Sequence, residues 1–487
     1  MLEMSERNSF VIVMKFGGSS VASASAIKRV ASIVQSQLHR TPAVVVSAMG
    51  KTTDELSAIL KDSAAGKSYL AWKQIKDLRE YHFAVAEDLL GSHELEAVDK
   101  YLRETFRDLH VRMSEICDGE RALTPEEIDR SLSLGEQLSS TIVSSALRQL
   151  GIPSCHMDAR RLIITDTRFN NAAPLYWQTY AKIRWSVPAA ARHGVVVMGG
   201  FIGATENGQT TTLGRGGSDL TATIVGAAVN AEEIQIWKDV DGILTADPRI
   251  KKDALLVKQL SYVEAAALAR AGAKVLHPET IAPAQRLRIP ITLRNTFNPG
   301  APGSTVSFAP DHSNSAKSIV CKENITLLEI SSARPDVTIG ECAQAIKMEP
   351  LAMTDSVLYL ALDSNAPHPE FSAPAAACIQ AHMYTGQALI TVIGGQCPAV
   401  AAVVARFQGL ILPGSDSERL LRAVVPHCHL TACLSELHHA LFSAADPSVF
   451  VKPSPAPAPR RQDMHQPQPK ERASRLRQAL TLAGRAT

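Results

Sequence analysis

From residue 11 the chain alternates apolar runs with small-residue turns and helical repeats. V-I-V-M-K-F-G-G-S-S (11–20) reads as a short strand that delivers one lysine into a paired-glycine turn. Ile27, Val30, Ile33, Val34 and Leu38 then recur at helical spacing, with Ser23 or Ser25 placed as an N-cap. A-V-V-V-S-A-M-G (43–50) is a buried-type strand ending in a small-residue loop, and strand, helix, strand in this order predicts a parallel βαβ unit. Residues 55–150 are helix-rich, charged and poor in proline and glycine. Alternation returns over 151–308, with strands at 194–200, 233–237 and 289–293, a helix following Asp219 and another over 261–271. Residues 318–445 carry short β-type runs (325–330, 357–362, 388–393), the last followed by a helix, which reads as a small α+β module. The proline spacing of P-S-P-A-P-A-P-R-R-Q-D denies a packed core, so residues 446–487 are expected to be disordered.

At 487 residues the chain exceeds one typical domain, and two domains plus a tail is the expectation. A formal net charge of +2 gives no reason to expect nucleic acid or a membrane surface as partner. No apolar run approaches the ~18 residues needed to span a bilayer, and the first ten residues lack an apolar export core. Eight cysteines without a CxxC pair fit reduced thiols, so the cytoplasm is the expected compartment. His427, Cys428, His429, Cys433, His438 and His439 cluster, but without a recognised metal-finger spacing. They read as a turn before a helix starting near Leu430, and no metal site is predicted. The basic tail reads as a solvated extension more readily than as a binder of something acidic.

Four loops concentrate chemistry. Lys15 and the amides of Gly17 and Gly18 make a seat suited to phosphate, although a structural lysine before an ordinary turn has the same pattern. G-R-G-G-S-D (214–219) lets backbone approach an oxyanion, Arg215 can fork onto a carboxylate, and Asp219 opens a helix. W-K-D-V-D-G-I-L-T-A-D-P-R (237–249) packs Lys238, three aspartates and Arg249 into one loop, which by itself is also a solvated charged loop. G-A-K-V-L-H-P (272–278) places Lys274 after a helix end, where a C-terminal cap is the ordinary reading.

Together with S-L-G-E-Q-L-S and F-I-G, these blocks follow one another through residues 10–308 in an order that resembles the aspartokinases of the amino-acid kinase family. No Walker-type glycine motif is present, which disfavours a P-loop kinase. The resemblance implies a three-layer α/β/α kinase domain over 10–308, with an aspartate-binding lobe (roughly 10–190) and a nucleotide-binding lobe (roughly 191–308). It implies phosphorylation of the L-aspartate side-chain carboxylate by ATP with Mg2+. Carried over by position, Lys15, Asp219 and Lys274 would be catalytic. Ser47, Thr53, Glu136 and Arg215 would bind aspartate, with Glu136 on the α-ammonium and Arg215 on the α-carboxylate. Lys15, Gly17, Gly18, Lys238, Asp239, Arg249 and Lys274 would bind the nucleotide. Many relatives have threonine where this chain has Lys238, and tyrosine near the adenine where it has Leu244.

The resemblance further implies a C-terminal tandem ACT-like regulatory domain over 318–445, homodimers or larger homo-oligomers, and lysine or threonine as effector. I-T-L-L-E-I-S-S (325–332) resembles its first strand. A-R-P-D-V-T-I-G-E-C-A-Q-A-I (333–346) replaces the usual effector loop, M-T-D-S-V-L (353–358) lacks the usual glutamate, and the strand after Leu410 is nearly gone. Weak or altered feedback is therefore expected. A kinase for another acidic amino acid and a non-catalytic regulatory paralogue are the competing readings.

Overall fold

The structure, a computed structural model, describes residues 11–273, 276–308, 316–332, 350–363, 379–394, 398–413 and 420–453. The chain opens with strand β1 (Ile12–Phe16), helix α1 (Ala24–Ser36) and β2 (Pro42–Val46). Ser23 caps α1 by accepting the Ala26 N–H. β1 and β2 are parallel, so the βαβ unit forms as the pattern predicts. Five helices follow: α2 (Thr52–Ala64), α3 (Ser68–Leu89), α4 (Ser92–Cys117), α5 (Pro125–Leu132) and α6 (Leu134–Gln149). Next come β3 (Ser154–Met157), β4 (Ile164–Thr165), α7 (Tyr176–Ala191), β5 (Val195–Gly199), β6 (Ile202–Thr205), β7 (Thr210–Thr212), α8 (Gly217–Val229) and β8 (Glu233–Lys238). β9 (Leu256–Val257), β10 (Gln259–Ser261), α9 (Tyr262–Arg270), α10 (Pro278–Arg286), β11 (Ile291–Asn295) and β12 (Ser304–Ser307) complete this part.

Among the described residues, eight strands form one sheet in the order β10-β12-β11-β8-β1-β2-β5-β3. The six from β11 to β3 are parallel. Side chains alternate across it. Ile12, Met14, Phe16, Val44 and Val46 face the core made with α1–α4 and α6, while Val13, Ala43, Val45, Ile234 and Ile236 face the core made with α7–α10. Helices therefore cover both faces, giving three layers. The sheet grows away from β1 in both directions, and in such sheets the crevice lies at the carboxyl ends of the strands where the order reverses. Phe16 pairs with Val46 and with Trp237, so β1, β2 and β8 end level.

Beyond residue 315 the described strands are β13 (Ala316–Ser332), β14 (Ala352–Met353), β15 (Val357–Asp363), β16 (Ile379–Gly394), β17 (Leu410–Ile411) and β18 (Leu420–Pro426). They form an antiparallel sheet in the order β14-β15-β13-β16-β18-β17. Helices α11 (Pro398–Arg406) and α12 (Leu430–Phe442) pack with it, and their core is continuous with that of α8–α10. His427–His429 form a 3₁₀ turn leading into α12 at Leu430, as the sequence predicts. Among the described residues, the strand at Leu410–Ile411 is two residues long, and the rest of the 410–417 stretch, from residue 414, lies outside them.

One expectation is corrected. Residues 446–453 are not disordered: β19 (Phe450–Val451) pairs antiparallel with β9. Phe450 is buried, and Asp446 holds the preceding turn by accepting the Ser448 N–H at 2.8 Å. Proline composition further along hid a turn and a short apolar run that had a place to pack. The rest of the predicted tail, 454–487, and the 333–346 replacement segment lie outside the described residues.

Candidate active site

A cleft of about 370 Å³ opens at the carboxyl ends of the central strands. The same alternation that buries Val13 puts Lys15 on the α8 side of β1, and Lys238, two residues past Lys15's register partner Ile236, falls on the same face of β8. Asp219 lies in the first turn of α8, where the helix N-terminus also favours a negative charge. The Lys15 Nζ lies 2.7 Å from Asp219 Oδ1, and the Lys238 Nζ lies 3.2 Å from Oδ2. Burial works against ionised Asp219, but the two ammonium groups outweigh it and hold the carboxyl below its usual range. Two ammonium groups thus converge on one carboxylate at the strand ends.

Glu136 lines the same cleft from the first turn of α6. Its Oε1 accepts the Ala48 N–H at 3.1 Å, and its Oε2 is buried without a hydrogen-bond partner among the described residues. Desolvation pushes its pKa up to about 8, only partly opposed by the Ala48 bond and by Lys15. A buried carboxyl with one spare oxygen facing a polar cleft is a receptor for a cation or a hydrogen-bond donor.

Two glycines shape the walls. A side chain at Gly18 would sit 2.9 Å from the carbonyls of both Ala48 and Gly50, so only glycine lets these loops close. Gly216, with φ +73°, turns the 214–219 loop into α8 against the His277 side chain. Phe201 also holds a positive φ of 65°, unusual for a bulky residue, and its N–H is fixed by the Thr221 hydroxyl at 3.0 Å.

The profile of the Amino acid kinase family matches residues 10–295. Over 469 residues the chain is 32% identical to Aspartokinase 1, chloroplastic, of Arabidopsis thaliana, covering 89% of this chain and 80% of that one. It is 33% identical over 360 residues to the Aspartokinase of Chlamydia trachomatis, covering 72% and 79%. Aspartokinase III of E. coli, solved in complex with aspartate and ADP (R-state), superposes with a TM-score of 0.74 at 28% identity, covering 89% of this chain and 100% of that one. The chain belongs to the aspartokinases of the amino acid kinase family. The sheet and its helical layers are the fold of that family. Among the described residues no helix is long and apolar enough to cross a membrane.

Of the residues singled out from the sequence, Lys15, Gly18, Ser47, Thr53, Glu136 and Asp219 line the cleft together, and Lys238 joins them through Asp219. Gly17 departs from expectation: its N–H is taken by the Trp237 carbonyl at 3.0 Å, which leaves Gly18 as the glycine of the pair that lines the cleft. Arg215 is exposed, between Gly214 and Gly216, which do line it. Asp239 is exposed after β8, and Arg249 is exposed and ion-paired with Asp247. Lys274 lies outside the described residues.

Sequence reasoning missed Lys51, Asp54, Phe201 and Ser218, which also line the cleft. Phe201 and Ser218 sit inside blocks that carried the resemblance, F-I-G and G-R-G-G-S-D, so position within those blocks was an available signal. It also missed Asp129. This fully buried carboxylate of α5 accepts the Thr212 hydroxyl at 2.6 Å, the Thr212 N–H at 3.0 Å and the Asn170 N–H at 2.9 Å. It thereby pins the strand that runs into the 214–219 loop.

Proposed function

We propose that this cleft is where the chain transfers the γ-phosphoryl group of ATP to the side-chain carboxylate of L-aspartate, giving 4-phospho-L-aspartate, the first step of aspartate-family amino-acid biosynthesis. One observation carries the reading: Glu136, buried with an unmatched oxygen, lines the same cleft as Lys15 and Asp219, the latter also paired with Lys238. That is a seat for an ammonium group beside a seat for transferring negative charge.

The residue types suit the reaction. A carboxylate acceptor with an ordinary pKa of ~3.9 is ionised at neutral pH, so the nucleophile needs no general base. The transition state needs position and charge neutralisation. Lys15 and Lys238 supply the latter, with Asp219 holding both at fixed distance. Glu136 receives the α-ammonium, and the Ser47 and Thr53 hydroxyls hydrogen-bond the substrate. Arg215 takes the α-carboxylate by folding inward from its exposed loop. Asp239, Arg249, Lys274 and the Gly18 amide serve the nucleotide. Among the described residues no group of three or more His, Cys, Asp or Glu side chains could hold a metal, and Asp219 is already matched by two cations. Magnesium would arrive on the phosphate oxygens of the nucleotide.

On the same reading, residues 10–308 are the catalytic domain and 318–445 a divergent ACT-like module that mediates self-association. Aspartokinase III of E. coli has also been solved with lysine and aspartate (T-state). In this chain the replaced 333–346 segment argues for weaker lysine control. The test is aspartyl hydroxamate formation with Mg-ATP, hydroxylamine and either L-aspartate or L-glutamate. Aspartate-dependent product, lost in Lys15→Ala, supports the reading. Its absence from folded, ATP-binding protein would overturn it in favour of a regulatory paralogue.

A further inference from the structure

The hairpin that follows β8 is held in place by residues from the far C-terminal part of the chain. Its two arms run antiparallel: the Thr245 N–H donates to the Leu255 carbonyl at 2.8 Å and the Val257 N–H to the Ile243 carbonyl at 2.9 Å. Between the arms lie Asp247 and Arg249, and just before them lie Lys238 and Asp239. A two-stranded hairpin is marginal by itself and gains stability from a third strand.

β19 is that third strand. Phe450 pairs with Val257 and Val451 with Leu256 on the free edge of β9. The Lys258 N–H donates to the Val449 carbonyl at 2.8 Å, and its Nζ donates to the Pro447 carbonyl at 2.8 Å. Phe450 meets Phe442 of α12 edge-on at 5.5 Å, and Phe442 in turn lies against His438 at 4.9 Å.

A second grip comes from α12 itself. His438 Nε2 is 2.9 Å from the Thr245 hydroxyl, and that hydroxyl also accepts the Leu255 N–H at 2.8 Å. The imidazole nitrogen and the hydroxyl share one hydrogen bond, and burial lowers the histidine pKa, which favours the neutral ring. The start of β13 adds a third: the Ser318 hydroxyl donates to the Leu244 carbonyl and the Ile319 N–H to the Thr245 carbonyl, both at 2.8 Å.

We propose that the 446–451 strap and His438 are positioning residues for the nucleotide: they fix the 243–257 hairpin, and through it the affinity for ATP, without touching the aspartate side of the cleft. This rests on the nucleotide-binding reading of Lys238, Asp239 and Arg249. A hairpin released from its third strand populates its binding-competent geometry for a fraction of the time, and apparent nucleotide affinity falls by that fraction.

The experiment uses the full chain with Phe450→Ala, Phe450→Leu and Thr245→Val. ADP binding is measured by calorimetry, and KM for ATP, KM for aspartate and kcat are measured separately. For Phe450→Ala and Thr245→Val, the ADP Kd and the KM for ATP should rise roughly five- to twentyfold, with KM for aspartate and saturated kcat within about twofold of the parent. Phe450→Leu, which keeps an apolar plug, should restore most of the affinity. Amide exchange at Leu255 and Val257 should accelerate in Phe450→Ala. An unchanged ADP Kd in variants whose exchange has accelerated, or equal rises in both KM values, would overturn the proposal. Should Phe450→Ala not fold, Thr245→Val decides by the same readouts. A parent chain that fails to bind ADP at all would instead sink the nucleotide-site reading on which the proposal stands.

Discussion

Aspartate binding should tighten as pH rises, and Glu136 is the reason. Its carboxyl is buried, one oxygen holds the Ala48 N–H, and the other has no partner. The cation that acts on it, Lys15, is already committed to Asp219. Desolvation therefore dominates and moves its pKa from 4.5 to about 8 in the empty cleft. An ammonium ligand requires the ionised form. At pH 7 only about a tenth of empty molecules have it, and at pH 6 about a hundredth. The apparent Kd for aspartate should thus fall about tenfold from pH 6 to 7 and about fivefold from pH 7 to 8, then level off above 8. At pH 7 close to one proton should leave per aspartate bound. Calorimetry in two buffers of different ionisation heat reads that proton directly, and titrations at pH 6, 7 and 8 read the affinity.

The sign can be checked on stability too. The folded pKa lies above the unfolded value, so the empty protein should lose stability as pH rises from about 4.5 to about 8. Aspartate should restore it. Glu136→Gln should bind weakly but with no pH dependence over this range. A Kd constant within twofold from pH 6 to 8, with no buffer-dependent heat, would refute the assignment of Glu136 to the ammonium.

Three other outcomes follow from the same geometry. Lys15→Ala should lower kcat by on the order of 10²–10³ in the hydroxamate assay, because a cation facing the transferring group is removed; an unchanged kcat would remove Lys15 from the chemistry. Asp219→Ala leaves the buried Lys15 and the half-buried Lys238 without the carboxylate they share, and urea unfolding should show a loss of about 3–5 kcal/mol; parent-like stability would mean that the Asp219 pairing does not hold the cluster together. Asp129→Asn keeps the shape but cannot accept all three of its donors. It should cost about 1–3 kcal/mol and raise KM for aspartate while leaving ADP affinity alone, and kinetics alongside calorimetry separate the two.

What could be read from the chain was whatever depends on near neighbours. β1, α1 and β2 follow from apolar spacing and a serine cap. Lys15 and Lys238 were identifiable because each stands within the last two residues of a strand whose alternation dictates which face it joins. The availability of Gly17 was not, since its N–H is consumed by a carbonyl from β8, a strand far along the chain. Nor was the protonation of Glu136, which comes from how tightly α6 closes over the loop after β2. Asp129 and Thr212 are 83 residues apart, and Thr245 and His438 are 193 apart, so no local pattern announces either pair. The strap shows the same limit from the other side. V-F-V (449–451) is an adequate strand after an Asp-Pro turn, but its partner is two residues of β9, and the prolines that follow it dominate any reading by composition. The residues that perform the chemistry are thus announced locally by strand ends and glycine turns. Those that hold them in register are recorded only in long-range pairing, which is why substituting the second group should change one KM at a time rather than abolish the reaction.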